Sequence, residues 1–150
     1  MLDQVAFLPF EGPIPPLPED TESDGLLAAP AILRVLVVDD EPLIAQTVTA
    51  ILNAHGFEAM EAISGEDALQ MARSFRPDIV LSDVLMPRMT GVDLGVRLRN
   101  EFPQTRVLLF SGQAATSELM RRAEEQGYHF ELFPKPIHPD ELIARLRGLV

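Results

Sequence analysis

The chain contains no cysteine, only one lysine and no long apolar run. Without cysteine it cannot form a disulfide scaffold, a thiolate metal site or a cysteine nucleophile. No apolar segment approaches the ~18 residues that a membrane-spanning helix needs, and the N-terminus lacks the charged and apolar regions of a signal peptide. We therefore expect a soluble cytoplasmic protein that does not partner a membrane.

Basic residues are scarce: 12 Lys and Arg stand against 23 Asp and Glu, which gives a formal net charge of -11. The chain offers no basic stripe to phosphates, so we expect no nucleic-acid partner. The one lysine is Lys135, between Pro134 and Pro136. A composition that favours arginine would explain it, but a guanidinium does not replace a compact ammonium that must meet a phosphate. Lys135 is therefore a candidate site residue.

The first 31 residues differ in composition from the rest of the chain. They hold 6 of the 13 prolines, 6 of the 23 acidic residues and no Lys or Arg. Such a segment buries too little apolar surface to offset the entropy lost on ordering. We predict a disordered leader at residues 1–31 and one globular domain at residues 32–150. The alternatives are a docking tail that uses Phe7, Leu8 and Phe10, and a wrongly assigned start codon.

From Ile32 onward, apolar runs alternate with amphipathic segments. Strands are predicted at residues 32–38, 57–62, 78–81, 106–110 and 130–133, and helices beginning near residues 42, 65, 91, 117 and 139. Segment 91–102 alternates with period two, but the cap at Thr90 and Pro103 after it favour a helix. This alternation predicts an α/β fold with a five-stranded, doubly wound parallel sheet. In the flavodoxin-like order 2-1-3-4-5, the fifth strand is an edge that tolerates Pro134.

Chemically active side chains stand at the carboxyl ends of the predicted strands: Asp39, Asp40, Asp83, Ser111 and Lys135. In an open parallel sheet these ends share one edge, where ligands collect. Clustered carboxylates repel by roughly 4 kcal/mol per close pair at an effective dielectric near 20, so we expect a hard cation such as Mg²⁺ among them. A carboxylate that faces a phosphoryl donor is a nucleophile that forms an aspartyl phosphate. Lys135 and Ser111 would bind the transferred oxygens.

Four short motifs carry these residues. They are Val37-Val38-Asp39-Asp40-Glu41-Pro42, Asp83-Val84-Leu85-Met86-Pro87 with Met89 and Gly91, Ser111-Gly112, and Lys135-Pro136. Together they resemble the receiver domain of bacterial two-component response regulators, across residues 32–150. The resemblance implies a stand-alone, chemotaxis-regulator-like protein that accepts a phosphoryl group from a sensor histidine kinase or a phosphotransfer protein. It implies no enzyme acting on a separate substrate, since a receiver catalyses only its own phosphorylation and dephosphorylation.

The resemblance also assigns roles to individual residues. Asp83 would be the phosphoacceptor. Asp40 and Asp83 would bind Mg²⁺ directly with the Leu85 carbonyl, and Asp39 would bind it through water. The phosphoryl oxygens would be held by Lys135, Ser111 and the backbone amides of Val84 and Gly112. A cis peptide bond would join Lys135 to Pro136.

Two positions depart from the family pattern. Leu132 stands three residues before the lysine, where most members have an aromatic residue that takes part in the activation switch. Ser111 replaces the commoner threonine and keeps the hydroxyl group. We therefore expect a weak switch at Leu132, or a displaced role for Phe133. The downstream target protein would bind the face made by helix four, strand five and helix five.

Three other classes compete with this interpretation. An FMN-binding flavodoxin would need a hydroxyl-rich and amide-rich loop after the first strand, where this chain has three acids. A haloacid-dehalogenase-type phosphatase would have a D-x-D pattern there, whereas Asp39 and Asp40 are adjacent. A pseudo-receiver that acts as a phosphorylation-independent binding module is the main alternative. It would usually have lost Asp40, Asp83 or Lys135, and this chain has all three.

Overall fold

The computed structural model describes residues 31–112 and 116–149. The predicted leader lies outside the described residues except for Ala31, and so does its proposed docking stretch. Within the described part of the chain, no helix is long and apolar enough to cross a bilayer.

Strands and helices alternate along the described residues. The strands are β1 (Arg34–Val38), β2 (Glu58–Ala62), β3 (Ile79–Asp83), β4 (Arg106–Ser111) and β5 (Glu131–Pro134). The helices are α1 (Pro42–Ala54), α2 (Gly65–Phe75), α3 (Gly91–Glu101), α4 (Thr116–Glu125) and α5 (Pro139–Arg147). The strands form one parallel sheet in the order β2-β1-β3-β4-β5. The predicted fold class and strand order are confirmed.

The ambiguous segment after residue 90 is helical because its first turn carries a complete capping box. The Thr90 hydroxyl accepts a hydrogen bond from the Asp93 amide at 3.1 Å, and the Asp93 carboxylate accepts one from the Thr90 amide at 3.1 Å. Two of the amide groups that a helix start leaves without partners are thus satisfied. The cap therefore outweighs the period-two apolar pattern of this segment.

The third and fourth strands extend further than their apolar runs predicted. Ser82 and Asp83 continue β3 because they pair with Leu109 and Phe110 of β4. Ser111 likewise ends β4 inside the ladder. Polar residues ended the predicted strands, yet backbone pairing does not depend on side-chain polarity. Two candidate site residues are thus held by the sheet itself.

Side-chain alternation divides the core between two faces of the sheet. Helices α1 and α5 cover the face that contains Val35, Val37, Leu81, Leu108, Phe110 and Phe133. Helices α2, α3 and α4 cover the face that contains Leu36, Val38, Val80, Val107 and Leu109. In β5, Leu132 pairs with Leu109 and Phe133 pairs with Phe110, so these neighbours point to opposite faces. Phe133 is fully buried, whereas Leu132 is 39% exposed.

One buried hydroxyl group in α1 gives a stability prediction. Thr49 is buried, and its Oγ1 has no hydrogen-bond partner among the described residues. Thr49→Val replaces this hydroxyl with a methyl group of similar size, and we expect it to raise the free energy of unfolding by about 1 kcal/mol. Urea unfolding measures the change. Thr47→Val is the control, because that exposed hydroxyl donates to the Leu43 carbonyl at 2.7 Å; a Thr49 variant no more stable than this control would contradict the prediction.

Candidate functional site

Three carboxylates converge at the carboxyl edge of the sheet. Asp39, Asp40 and Asp83 each place one oxygen within 4.8 Å of the other two. The strands bring them together because β1 and β3 are neighbours in parallel register, with Val38 opposite Ser82. The residues that follow Val38 therefore lie beside the end of β3, as the sequence predicted.

Asp39 is fully buried, and each of its carboxylate oxygens has a polar partner. Oδ1 accepts a hydrogen bond from the Glu41 amide at 2.9 Å, and Oδ2 lies 3.3 Å from the Lys135 ammonium. Its own amide donates to the Ala62 carbonyl at 3.1 Å. A buried carboxylate is costly unless it is paired and hydrogen-bonded. These contacts therefore account for the presence of a charge inside the sheet edge.

Lys135 bridges two of the three acidic residues. Its Nζ lies 3.3 Å from Asp39 Oδ2 and 3.3 Å from Asp83 Oδ1. Its backbone amide donates to the Ser111 carbonyl at 3.2 Å, and the peptide bond to Pro136 is cis. The single lysine of the chain thus lies where its charge offsets the repulsion between two carboxylates.

Asp83 lies at the end of β3, with a side chain that is 14% exposed. Its Oδ1 accepts a hydrogen bond from the Val84 amide at 3.0 Å. Burial raises the pKa of the Asp83 carboxyl above its ordinary value, Lys135 opposes this rise, and Asp39 adds to it. A desolvated carboxylate with a raised pKa is more basic than one in water. The Lys135 ammonium, which opposes the rise, therefore favours the ionised form of Asp83 that a nucleophile requires.

The other predicted site residues surround this cluster. Ser111 is buried at the end of β4, and Gly112 is exposed beside the lysine, where a Cβ at Gly112 would lie 3.5 Å from the Lys135 Cβ. Val84 is buried and Leu85 is partly buried in the segment that follows β3. The sheet edge thus gathers residues from each of the four sequence motifs.

Phe133, one of the two candidate switch residues, points into the core. Its ring is fully buried on the α1 and α5 face, 4.8 Å from the guanidinium carbon of Arg145. Leu132 points to the opposite face. An exchange of the two positions would require a one-residue slip of β5, which would also expose the buried ring. Leu132 thus lies partly at the surface and Phe133 in the core, and the switch role of either residue stays a prediction.

Phe110 is a neighbour of the site that the sequence analysis missed. The Lys135 Nζ lies 4.9 Å from the centroid of the Phe110 ring. In the sequence, Phe110 ends an apolar run and is indistinguishable from an ordinary core residue. Its contact with Lys135 depends on the register in which β4 pairs with β5. The sequence alone does not specify that register.

The donor set fits a hard divalent cation. It consists of oxygen atoms from three carboxylates, the ligand type that Mg²⁺ prefers. Among the described residues, Lys135 forms ion pairs with Asp39 and Asp83 but not with Asp40. The lysine therefore compensates only part of the negative charge, and a cation would compensate the remainder.

Comparison with known proteins agrees with this geometry. Residues 35–147 match the family described as the response regulator receiver domain. A 118-residue segment is 37% identical to the probable transcriptional regulatory protein TcrX of Mycobacterium tuberculosis, over 79% of this chain and 50% of that protein. The DNA-binding response regulator MtrA of Mycolicibacterium smegmatis is 33% identical over 77% of this chain and 49% of its own length. The chain thus spans about half the length of these curated relatives.

Solved structures show the same similarity over most of this chain and over nearly all of their own length. The chemotaxis protein CheY4 of Vibrio cholerae is 30% identical, with a TM-score of 0.68, over 80% of this chain and 100% of its own. The receiver domain of the Francisella response regulator 1452 is 30% identical, with a TM-score of 0.66, over 78% of this chain and 95% of its own.

Proposed function

Since this chain belongs to the response regulator receiver domain family, we propose that it accepts one phosphoryl group on Asp83 and signals through contact with another protein. One observation carries the proposal. The partly buried Asp83 carboxylate at the end of β3 is held by the only lysine of the chain, which also binds the buried Asp39. This is the arrangement that an acid needs to act as a nucleophile beside a cation for the transferred group.

The chain's own residues would divide the reaction among them. The Asp83 oxygen that does not accept from the Val84 amide attacks the phosphorus atom of the donor. A new P–O bond forms while the bond to the leaving group breaks, and the leaving group keeps the electron pair. The Lys135 ammonium, the Ser111 hydroxyl and the Val84 and Gly112 amides bind the transferred oxygens.

Asp39, Asp40, Asp83 and the Leu85 carbonyl would hold Mg²⁺, which when bound supplies positive charge to the phosphoryl oxygens and offsets the repulsion among the carboxylates. By this proposal the protein catalyses only its own phosphorylation and dephosphorylation. It is not an enzyme with a separate substrate.

The donor would be a sensor histidine kinase or a phosphotransfer protein in the cytoplasm. The output surface would be the α4-β5-α5 face, on which Leu132 is 39% exposed. Leucine cannot hydrogen-bond and gains little from entering a polar gap, so its position should differ weakly in energy between the two states. We therefore propose a modest change of this face on phosphorylation. The transcriptional and DNA-binding roles in the names of TcrX and MtrA describe proteins about twice as long as the matched segment.

Intact mass after incubation with acetyl phosphate tests the proposal. We expect the mass of one added phosphoryl group in the presence of Mg²⁺ and none after chelation with EDTA. The label should survive acid and be lost in base, as expected for an acyl phosphate. An unlabelled protein would favour the alternative of a phosphorylation-independent binding module, and a label that survives base would contradict an aspartyl phosphate.

A further inference from the structure

Among the described residues, the Lys135 ammonium lies close to two carboxylates and one aromatic ring. Its Nζ lies 3.3 Å from Asp39, 3.3 Å from Asp83 and 4.9 Å from the centroid of the Phe110 ring. We propose that Phe110 is a positioning residue for Lys135, because the ring face holds the ammonium between the two carboxylates where a transferred phosphoryl group would arrive. The position of the ammonium is independent of the proposed function, whereas its effect on phosphorylation rests on that function.

The sheet fixes this ring beside the phosphoacceptor. Phe110 is the register partner of Asp83 across β3 and β4, so their side chains leave the sheet on the same face. The Phe110 ring is 3% exposed and packs in the core under α1 and α5. The Phe110 carbonyl also accepts a hydrogen bond from the Val84 amide at 3.3 Å. Strand pairing and core packing therefore hold the Phe110 ring in place beside Asp83.

The lysine is tied to the same strand. Its backbone amide donates to the carbonyl of Ser111, the residue after Phe110, at 3.2 Å. Its side chain is 26% exposed, so the ammonium is partly removed from water. Partial desolvation strengthens the attraction between an ammonium and the negative face of an aromatic ring. Strand pairing thus restricts the backbone of Lys135, and the ring restricts its ammonium group.

A ring face leaves the N–H donors of the ammonium free, whereas a third carboxylate would occupy one of them. It attracts positive charge without taking up a directional hydrogen bond. The three N–H donors of Lys135 remain available to Asp39, Asp83 and the oxygens of a transferred group. The ammonium can therefore turn towards a phosphoryl group on Asp83 while it stays above Phe110.

A second buried ring controls for the loss of core volume alone. Phe57 belongs to the same core and also has a cation over its ring, since the Arg147 guanidinium carbon is 5.5 Å from the ring centroid. Phe57 directly precedes β2, at the edge of the sheet opposite to the acids, and Arg147 donates a hydrogen bond to the His55 carbonyl at 2.6 Å. A substitution at Phe57 therefore disturbs a comparable core position without acting on Lys135.

Lysine labelled with ¹³C at Cε locates the ammonium directly, because the chain has one lysine and gives one signal. We expect the Hε resonance of Lys135 to lie upfield in the native protein and to lose this ring-current shift in Phe110→Leu. Phe57→Leu should leave the resonance in place. The proposal is overturned if the resonance is the same in the native protein and in Phe110→Leu.

Fluorinated phenylalanine separates the electrostatic effect of the ring from its volume. A trifluorophenylalanine at position 110 keeps the shape of the ring and weakens the negative charge of its face. We expect labelling by acetyl phosphate to slow about three- to tenfold, the size of one partly desolvated cation–π contact, and the same residue at position 57 to leave the rate unchanged. An unchanged labelling rate with trifluorophenylalanine at position 110 would show that Phe110 only fills volume in the core. If the native protein takes no label, the proposed function fails, and the Hε resonance still decides whether Phe110 holds the ammonium.

Discussion

Asp83→Asn should abolish the uptake of phosphoryl groups from acetyl phosphate, whereas Asp78→Asn should label like the native protein. An amide keeps the size of the side chain and can still accept from the Val84 amide, but it has no anionic oxygen to attack phosphorus. Asp78 lies just before the opposite end of the same strand, where its carboxylate accepts a hydrogen bond from the Arg34 amide at 2.8 Å. The two variants therefore remove one carboxylate each and differ in which edge of the sheet loses it.

Thermal unfolding of Asp83→Asn tests whether the loss of label reflects unfolding. Burial raises the pKa of Asp83 in the folded protein, so the folded state binds this proton more tightly than the unfolded chain does. The carboxyl group therefore lowers stability as the pH rises from its unfolded pKa through its folded pKa. Without metal at neutral pH, we expect Asp83→Asn to be at least as stable as the native protein in thermal unfolding.

Two results would contradict this assignment. Equal labelling of Asp83→Asn and the native protein would place the acceptor on another residue, with Asp40 as the other partly exposed acid of the cluster. Loss of label in Asp78→Asn at unchanged stability would show that the opposite edge of the sheet takes part in the reaction. Peptide mapping of the labelled native protein distinguishes these cases.

The sequence could predict the site because the fold class itself brings strand ends together. Once strands and helices alternate, parallel strands place their carboxyl ends at one edge. Asp39, Asp83 and Lys135 then become neighbours although 96 residues separate the first from the last. No knowledge of side-chain packing was needed for this step, since each residue directly follows or ends a strand.

Details that depend on register or packing could not be predicted in this way. The apolar run at residues 106–110 indicates that Phe110 is buried, but its contact with Lys135 exists only once β5 is paired with β4. In the same manner, which of Leu132 and Phe133 faces the core under α1 and α5 depends on a register that period-two alternation does not fix alone. The extra residues of β3 escaped prediction because Ser82 and Asp83 are polar but paired.

Gly91 shows how closely the start of α3 approaches the end of β3. A Cβ at this position would lie 2.1 Å from the Asp83 carbonyl oxygen and 3.0 Å from the Val84 Cα. The Gly91 amide donates to the Val84 carbonyl at 2.7 Å. Both clashing atoms belong to the backbone, so no change of side-chain rotamer relieves the contact. A side chain at Gly91 must push α3 away from the end of β3.

Gly91→Ala should therefore lower the free energy of unfolding by about 3 kcal/mol, at the upper end of the usual cost of overpacking. It should also slow labelling by acetyl phosphate, because the displaced backbone carries Asp83 and the Val84 amide. Gly148→Ala is the matched control, since its Cβ would meet the Ala144 carbonyl at an ordinary 3.5 Å. Urea unfolding and labelling rates of both variants test the prediction. If Gly91→Ala unfolds and labels like the control, α3 can move away at little cost and its close approach does not hold Asp83 in place.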